Sequence, residues 1–170
     1  GGIRALLNAD CKTFCSTKGL GKSKFAQIQA ALELSKRYLH EQLQRGDALT
    51  NPEHSRAFFK AQLRDQCHEV FACLFLDSAN RMIEYEELFY GSINTTTVHP
   101  RQVVRRALHH NASAVIVAHN HPSGISTPSV ADQDITRHLK QVLELFDIRL
   151  LDHLVIGDGA ATSLAELGIL

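Results

Sequence analysis

The feature that most constrains this chain is a run of five apolar residues, Ala114-Val-Ile-Val-Ala118, that ends in His119-Asn120-His121-Pro122-Ser123-Gly124. A run so short and so apolar fits a strand buried on both faces. Successive residues of an extended segment alternate in direction, so His119 and His121 project to the same side. Pro122 and Gly124 then stop the strand and turn the chain. A fold built around this segment delivers two imidazoles to one point at the end of a core strand.

The surrounding sequence alternates strands and helices. Thr50-Asn51-Pro52-Glu53 has the form of a capping box with proline in the first turn, opening a helix that runs to about Arg64. Val70–Leu76 is a second short apolar strand, and Arg81–Tyr90 is its partner across the turn Asp77-Ser78-Ala79-Asn80. Pro100–His110 is a helix ended by Asn111, and Val130–Phe146 is a long helix. Ile148–Ile156 is a further strand, closed by Gly157-Asp158-Gly159. This order predicts an α/β domain of two or three layers over residues 50–170.

Residues 1–47 read as a separate helical module, with Arg45-Gly46-Asp47 as the linker. From Ser23 to Leu43 the apolar residues recur near helical spacing. Ahead of that helix, Lys18-Gly19-Leu20-Gly21-Lys22 allows a tight turn after Ile3–Phe14. The turn suits a plain helical hairpin. It also resembles a helix-hairpin-helix module, which offers backbone N–H groups to a DNA phosphate, here at Gly19, Gly21 and Lys22.

Charge separates the two parts. Residues 1–50 hold eight Lys/Arg against four Asp/Glu, a surplus of four positive charges that the remainder cancels. The larger part therefore lacks the basic footprint of a general nucleic-acid binder. No apolar run reaches the roughly 18 residues of a membrane span, and no leader resembles a signal peptide. The four cysteines form no CxxC pair. They read as buried small hydrophobes with reduced thiols, in a soluble cytoplasmic protein with no membrane partner.

Eleven residues after His121 comes Asp132, in the first turn of the next helix. A strand end and a helix start can meet there, giving a His119, His121 and Asp132 set for zinc. Three protein ligands leave zinc an open fourth position, the catalytic arrangement. Ser129 and Asp132 also suit an N-cap and an acidic residue in the first turn, which needs no metal. Among other polar residues, Asp152 and His153 interrupt an apolar strand, either to orient a ligand from behind or to be satisfied at a strand edge. Glu84, Glu86 and Glu87 look like a solvated acidic face. Arg101, Arg105 and Arg106 look like a solvated basic one, and His109 and His110 suit the negative end of a helix.

His119-x-His121-x₇-Ser129-x₂-Asp132 resembles the His-x-His-x₇-Ser-x₂-Asp pattern of the JAMM/MPN-type metalloproteases. The longer run from His119 to Asp132 is similar to that of the bacterial RadC family, historically labelled DNA-repair proteins. Phe75-Leu76-Asp77, Val98-His99-Pro100-Arg101, Ala107-Leu108 and Leu151–Gly157 sit where that family has similar residues. Lys18–Gly21 and Glu33-Leu34 fit its N-terminal helical module. Members carry more helical sequence ahead of the position of Gly1, so the resemblance implies a piece of a longer chain.

The resemblance implies a cytidine-deaminase-like (JAMM/MPN) α/β core with a small helix-hairpin-helix-like module before it. It implies zinc at His119, His121 and Asp132, and peptide or isopeptide hydrolysis of a peptide or protein substrate. Glu69, just ahead of the first core strand, takes the family's acid–base position, and Ser129 the place of an oxyanion donor. Two rival functions carry different signatures. A nucleobase deaminase uses His-x-Glu with Pro-Cys-x-x-Cys, which this chain lacks. A DNA-associated, repair-related module with a structural or vestigial metal site predicts salt-sensitive DNA binding and indifference to chelators.

Overall fold

The computed structural model describes residues 2–45, 52–91 and 98–170. They divide into two compact units, Gly1–Glu41 and Gln42–Leu170. Gly46 and Asp47 of the expected linker, and Thr50 and Asn51 of the expected capping box, lie outside the described residues.

The helices of the N-terminal part are α1 (Ile3–Leu7), α2 (Cys11–Cys15) and α3 (Lys22–Arg45). Arg45 thus belongs to a helix rather than to a linker. The stretch expected as one element before the glycine turn is two, because Asp10 starts a new helix. Its Oδ1 accepts from the Thr13 N–H at 2.8 Å and its Oδ2 from the Thr13 hydroxyl at 2.9 Å, the preferred use of Asp at an N-cap. Phe14 is buried and meets Phe25 edge to face, with ring centroids 5.5 Å apart. Between α2 and α3, Gly19 has φ +86°, a conformation that glycine adopts without strain.

The second unit holds α4 (Pro52–Leu63), β1 (Val70–Leu76), β2 (Met82–Tyr90), α5 (Pro100–His109), β3 (Ala114–Asn120), α6 (Val130–Glu144), β4 (Arg149–Ile156) and β5 (Thr162–Ser163). The strands form one sheet in the order β2-β1-β3-β4-β5. β1 runs antiparallel to both β2 and β3, while β3 and β4 are parallel across the α6 connection. Every residue of β1 and β3 is buried, which is why their sequences are continuously apolar rather than alternating. β2 lies at the edge and accordingly carries the glutamates and tyrosines. Phe71, Cys73, Val115 and Val117 form one core with Val103 and Ala107 of α5 and Leu139 and Leu143 of α6. α4 packs on the other face, where Phe58 and Phe59 sit edge to face against Tyr85. The domain therefore has three layers.

Several expectations change here. The sheet gains β5 beyond the expected strands, since two residues carry no periodicity by which a sequence could mark them. The acidic run is only partly solvated: Glu86 is half-buried, accepting from Arg106 Nε at 2.6 Å and contacting His110 Nε2 at 2.7 Å. The Arg106 guanidinium holds the Glu86 carboxyl below its usual range. Arg106 is thus paired with Glu86 rather than part of a solvated face, and His110, the C-cap residue of α5, also turns its ring to that carboxylate. Among the cysteines only Cys73 is a buried hydrophobe; Cys11 and Cys15 are half-buried and Cys67 is exposed.

Candidate metal centre

β3 extends two residues beyond its apolar run, so His119 and Asn120 are strand residues. His119 pairs with Phe71 of β1, and its ring stacks on Phe71 within 10° of parallel. His121 lies one residue past the strand. Its N–H bonds the Ile156 carbonyl at 2.9 Å, which carries the parallel β3–β4 pairing one step further. Pro122 then turns the chain, and Gly124 N–H returns to the His121 carbonyl at 2.9 Å. Asp132 enters from the first turn of α6. Ser129 caps that helix: its hydroxyl accepts from the Asp132 N–H at 3.1 Å, and the Ser129 N–H and hydroxyl both donate to Asp132 Oδ2 at 2.7 Å.

These elements bring three ligating atoms together. His119 Nε2 lies 3.0 Å from His121 Nε2 and 3.2 Å from Asp132 Oδ1, and His121 Nε2 lies 3.6 Å from Asp132 Oδ2. Among the described residues, His119, His121 and Asp132 form a group whose ligand atoms all lie within 4.8 Å. Tetrahedral coordination at roughly 2.0–2.2 Å sets ligand atoms about 3.3–3.6 Å apart, so the spacing suits one small divalent ion. The donor chemistry fits as well. His121 Nδ1 is 2.7 Å from the Ile125 carbonyl, an acceptor only. Nδ1 therefore carries a proton, which leaves Nε2 as the nitrogen that faces Asp132 and that would bind a metal once its own proton is lost. Two imidazole nitrogens and a carboxylate match zinc or a similar first-row ion.

Charge follows the same pattern. Burial opposes ionisation of Asp132, but its bonds with His119, His121 and Ser129 outweigh that cost and hold its carboxyl far below the usual range. Asp132 in turn raises the pKa of His121, and the charge of Glu69 adds to the effect. Glu69 is half-buried. It shares a cavity of about 160 Å³ with Phe71, Val98, His119, Asp132, Ile135 and His153. The structure thus gathers His119, His121, Asp132, Ser129 and Glu69 at one end of the sheet. Gly19, Gly21 and Lys22 belong to the other unit.

The family model for the RadC-like JAB domain matches residues 49–169. The chain belongs to the RadC family. A UPF0758 protein of Thioalkalivibrio sulfidiphilus is 58% identical over 170 residues, covering all of this chain and 76% of the relative. UPF0758 proteins of Halorhodospira halophila and Aeromonas hydrophila are 57% and 56% identical, each over 99% of this chain and 75% of their own length. A RadC domain has the JAMM-type fold of metal-dependent hydrolases. No helix among the described residues is long and apolar enough to cross a membrane.

In this RadC domain the sequence pair Asp152-His153 splits across the sheet. His153 is fully buried on the metal side, with Nε2 2.8 Å from His119 Nδ1. Burial holds it neutral, its pKa well below the ordinary histidine value. Asp152 turns the other way and accepts from the Ser163 hydroxyl and the Ala165 N–H. The two therefore do not act as a pair, and β4, with β3 on one side and β5 on the other, is not an edge strand. Thr136 and Asn120 also meet this site, through His153 and through the backbone beside Glu69. Thr136 follows Asp132 by one helical turn, so i,i+4 spacing is the signal that points to it. Nothing in the sequence alone marks Asn120.

Proposed function

We propose that this chain is a zinc-dependent hydrolase of amide bonds, a JAMM-type metallopeptidase or isopeptidase acting on a peptide or protein. The convergence of His119 Nε2, His121 Nε2 and the Asp132 carboxylate beside Glu69 carries this reading. These three side chains hold the zinc. Zinc bound there supplies Lewis acidity, polarising an amide carbonyl and making water acidic enough to yield its proton near neutral pH. Glu69 takes the proton of the attacking water and returns it to the leaving amine. Ser129, at the entry to α6, turns its hydroxyl proton from Asp132 Oδ2 to the oxyanion as the carbonyl becomes tetrahedral, the Ser129 N–H remaining on Oδ2. The core is of the cytidine-deaminase-like type, with its ligands split between a strand end and a helix start.

Elemental analysis of the wild type against the His119→Ala/His121→Ala variant tests the metal. About one zinc per wild-type chain and none in the variant is the expected result, and equal zinc in both removes the site. Glu69→Gln keeps shape and loses proton transfer, so it retains zinc and abolishes peptide hydrolysis. Retained turnover in Glu69→Gln, with loss in Glu84→Gln, reassigns the base.

For the N-terminal unit we propose a helix-hairpin-helix turn that meets a DNA phosphate at Gly19, Gly21 and Lys22. The positive φ of Gly19 between α2 and α3 favours it. Duplex binding that weakens with salt and is lost in Gly19→Val supports it, and binding unaffected by that change removes it.

A further inference from the structure

His119 differs from His121 in what orients it. His121 Nδ1 faces a carbonyl, which only accepts. His119 Nδ1 faces His153 Nε2 at 2.8 Å, and an imidazole nitrogen either donates or accepts. What decides the direction lies one step further on. His153 Nδ1 is 2.5 Å from the hydroxyl oxygen of Thr136, and the same oxygen is 2.5 Å from the backbone carbonyl of Asp132. That carbonyl has no proton to give, so it takes the one proton of the Thr136 hydroxyl. Thr136 then accepts from His153 Nδ1–H, His153 Nε2 is left with its lone pair, and it accepts from His119 Nδ1–H. His119 Nε2 is thereby bare and aimed at His121 and Asp132. In the opposite polarity, Thr136 donates to His153, and the string ends with a proton on His119 Nε2, where it blocks a ligand position.

We infer that His153 and Thr136 are positioning residues of the metal centre. Together they form a relay that keeps the His119 proton on Nδ1 and directs the Nε2 lone pair to the metal. Both are fully buried, so water does not compete for either hydrogen bond. The relay starts at one ligand and closes on the main chain of another, Asp132. It therefore ties the β3 ligand to the α6 ligand through β4, in addition to the direct contact of the three ligating groups. This inference rests on the reading that a divalent metal sits at His119, His121 and Asp132.

Zinc alone is the probe, with affinity measured by competition against a chromogenic chelator, beside the thermal stability of the metal-free protein. Thr136→Val keeps the shape and removes the hydroxyl; Thr136→Ser keeps the hydroxyl and loses a buried methyl. A relay predicts that Thr136→Val binds zinc about 10- to 100-fold more weakly, the range for outer partners of metal ligands. It also predicts that Thr136→Ser keeps near wild-type affinity although it melts lower. A role in packing alone predicts the reverse order and overturns the inference. Wild-type zinc protein examined by long-range ¹H–¹⁵N NMR gives a second answer that needs no variant. His153 protonated on Nδ1 only supports the relay, and a proton on His153 Nε2 overturns it. A wild type that binds no divalent metal overturns the metal reading itself, and the inference with it. A wild type that binds zinc while Thr136→Val binds it equally well overturns the relay alone.

Discussion

Asn120 clamps the main chain on both sides of Glu69. Its Oδ1 accepts from the Val70 N–H at 2.8 Å, and its Nδ2 donates to the His68 carbonyl at 3.0 Å. The Glu69 carbonyl is taken in turn by the Gly91 N–H at 2.8 Å. Asn120 lies between the two histidines, so one tripeptide sets two of the proposed metal ligands and the backbone that presents the proposed base. Asn120→Ala strips a buried N–H of its partner, which costs roughly 1–3 kcal/mol. It leaves the three ligating side chains intact. The expected outcome is a less stable protein that still binds zinc and hydrolyses peptides poorly. Denaturant melts, zinc content and kinetics on one preparation check it, and normal turnover would show that the clamp does not serve Glu69.

Ser129 has a structural duty that its proposed chemical role must be separated from. As the cap of α6 it is worth about 1 kcal/mol, and as an oxyanion donor it is worth about 10²-fold in turnover. Asparagine caps helices as well as serine does but carries no hydroxyl. Ser129→Asn is expected to fold, keep zinc and lose most activity. Unimpaired turnover in a stable, zinc-loaded Ser129→Asn protein would leave Ser129 a cap only.

The loop that carries His121 is held from the far side by the turn after β4. A Cβ at Gly157 would stand 2.5 Å from the Gly124 carbonyl oxygen and 2.8 Å from the Ser126 nitrogen, both main-chain atoms. The Asp158 N–H bonds that same Gly124 carbonyl at 2.7 Å, and Asp158 pairs with Arg64 beyond the end of α4. Gly157→Ala therefore pushes the loop and is expected to destabilise the domain by about 1–3 kcal/mol, as overpacking does, with weaker zinc binding. Gly159→Ala, two residues on, meets nothing within 4 Å and is expected to stay within about 0.5 kcal/mol of wild type. Equal stability of the two variants in urea melts would argue against a loop held by close backbone approach.

The His121–Asp132 pair gives the metal-free protein a defined pH dependence. Asp132 raises the pKa of His121, so the stabilisation is full below the unfolded histidine value near 6.5 and fades as pH rises through the folded value. At the acid end the lowered pKa of Asp132 preserves it above the unfolded value near 3.9, and it is lost as pH falls through the still lower folded value. Metal-free protein is thus expected to lose stability as pH rises above about 6.5 in a way that Asp132→Asn does not. Zinc should stabilise progressively more over the same range, because protons compete with it for His121. Thermal melts across pH, with and without zinc, test both statements. Metal-free melts that change alike in the two proteins would refute the pairing.

The convergence of His119, His121 and Asp132 is legible in the sequence because the three lie close together in the chain. His119 and His121 share a side through the two-residue period of a strand, and Asp132 follows through the first turn of the next helix. Those are local rules, and they hold wherever the strand is placed. β1 and β3 were legible for a related reason: strands covered on both faces must be apolar throughout.

Other features belonged to the tertiary structure. Glu69 was separable from Glu84, Glu86 and Glu87 in the sequence only by family likeness. Pairing of β1 with β3 sets Glu69 at the cavity it shares with His119 and Asp132, while Glu86 goes to Arg106 and His110. The split of Asp152 from His153 likewise needed the sheet, since alternation says that they part but not which of them meets the metal side. His119 is 34 residues from His153 and 17 separate His153 from Thr136. Periodicity reports which face a residue takes within its own element. It is silent on which face of a different element lies opposite, and that is settled by strand order, register and the packing of α6 across β4.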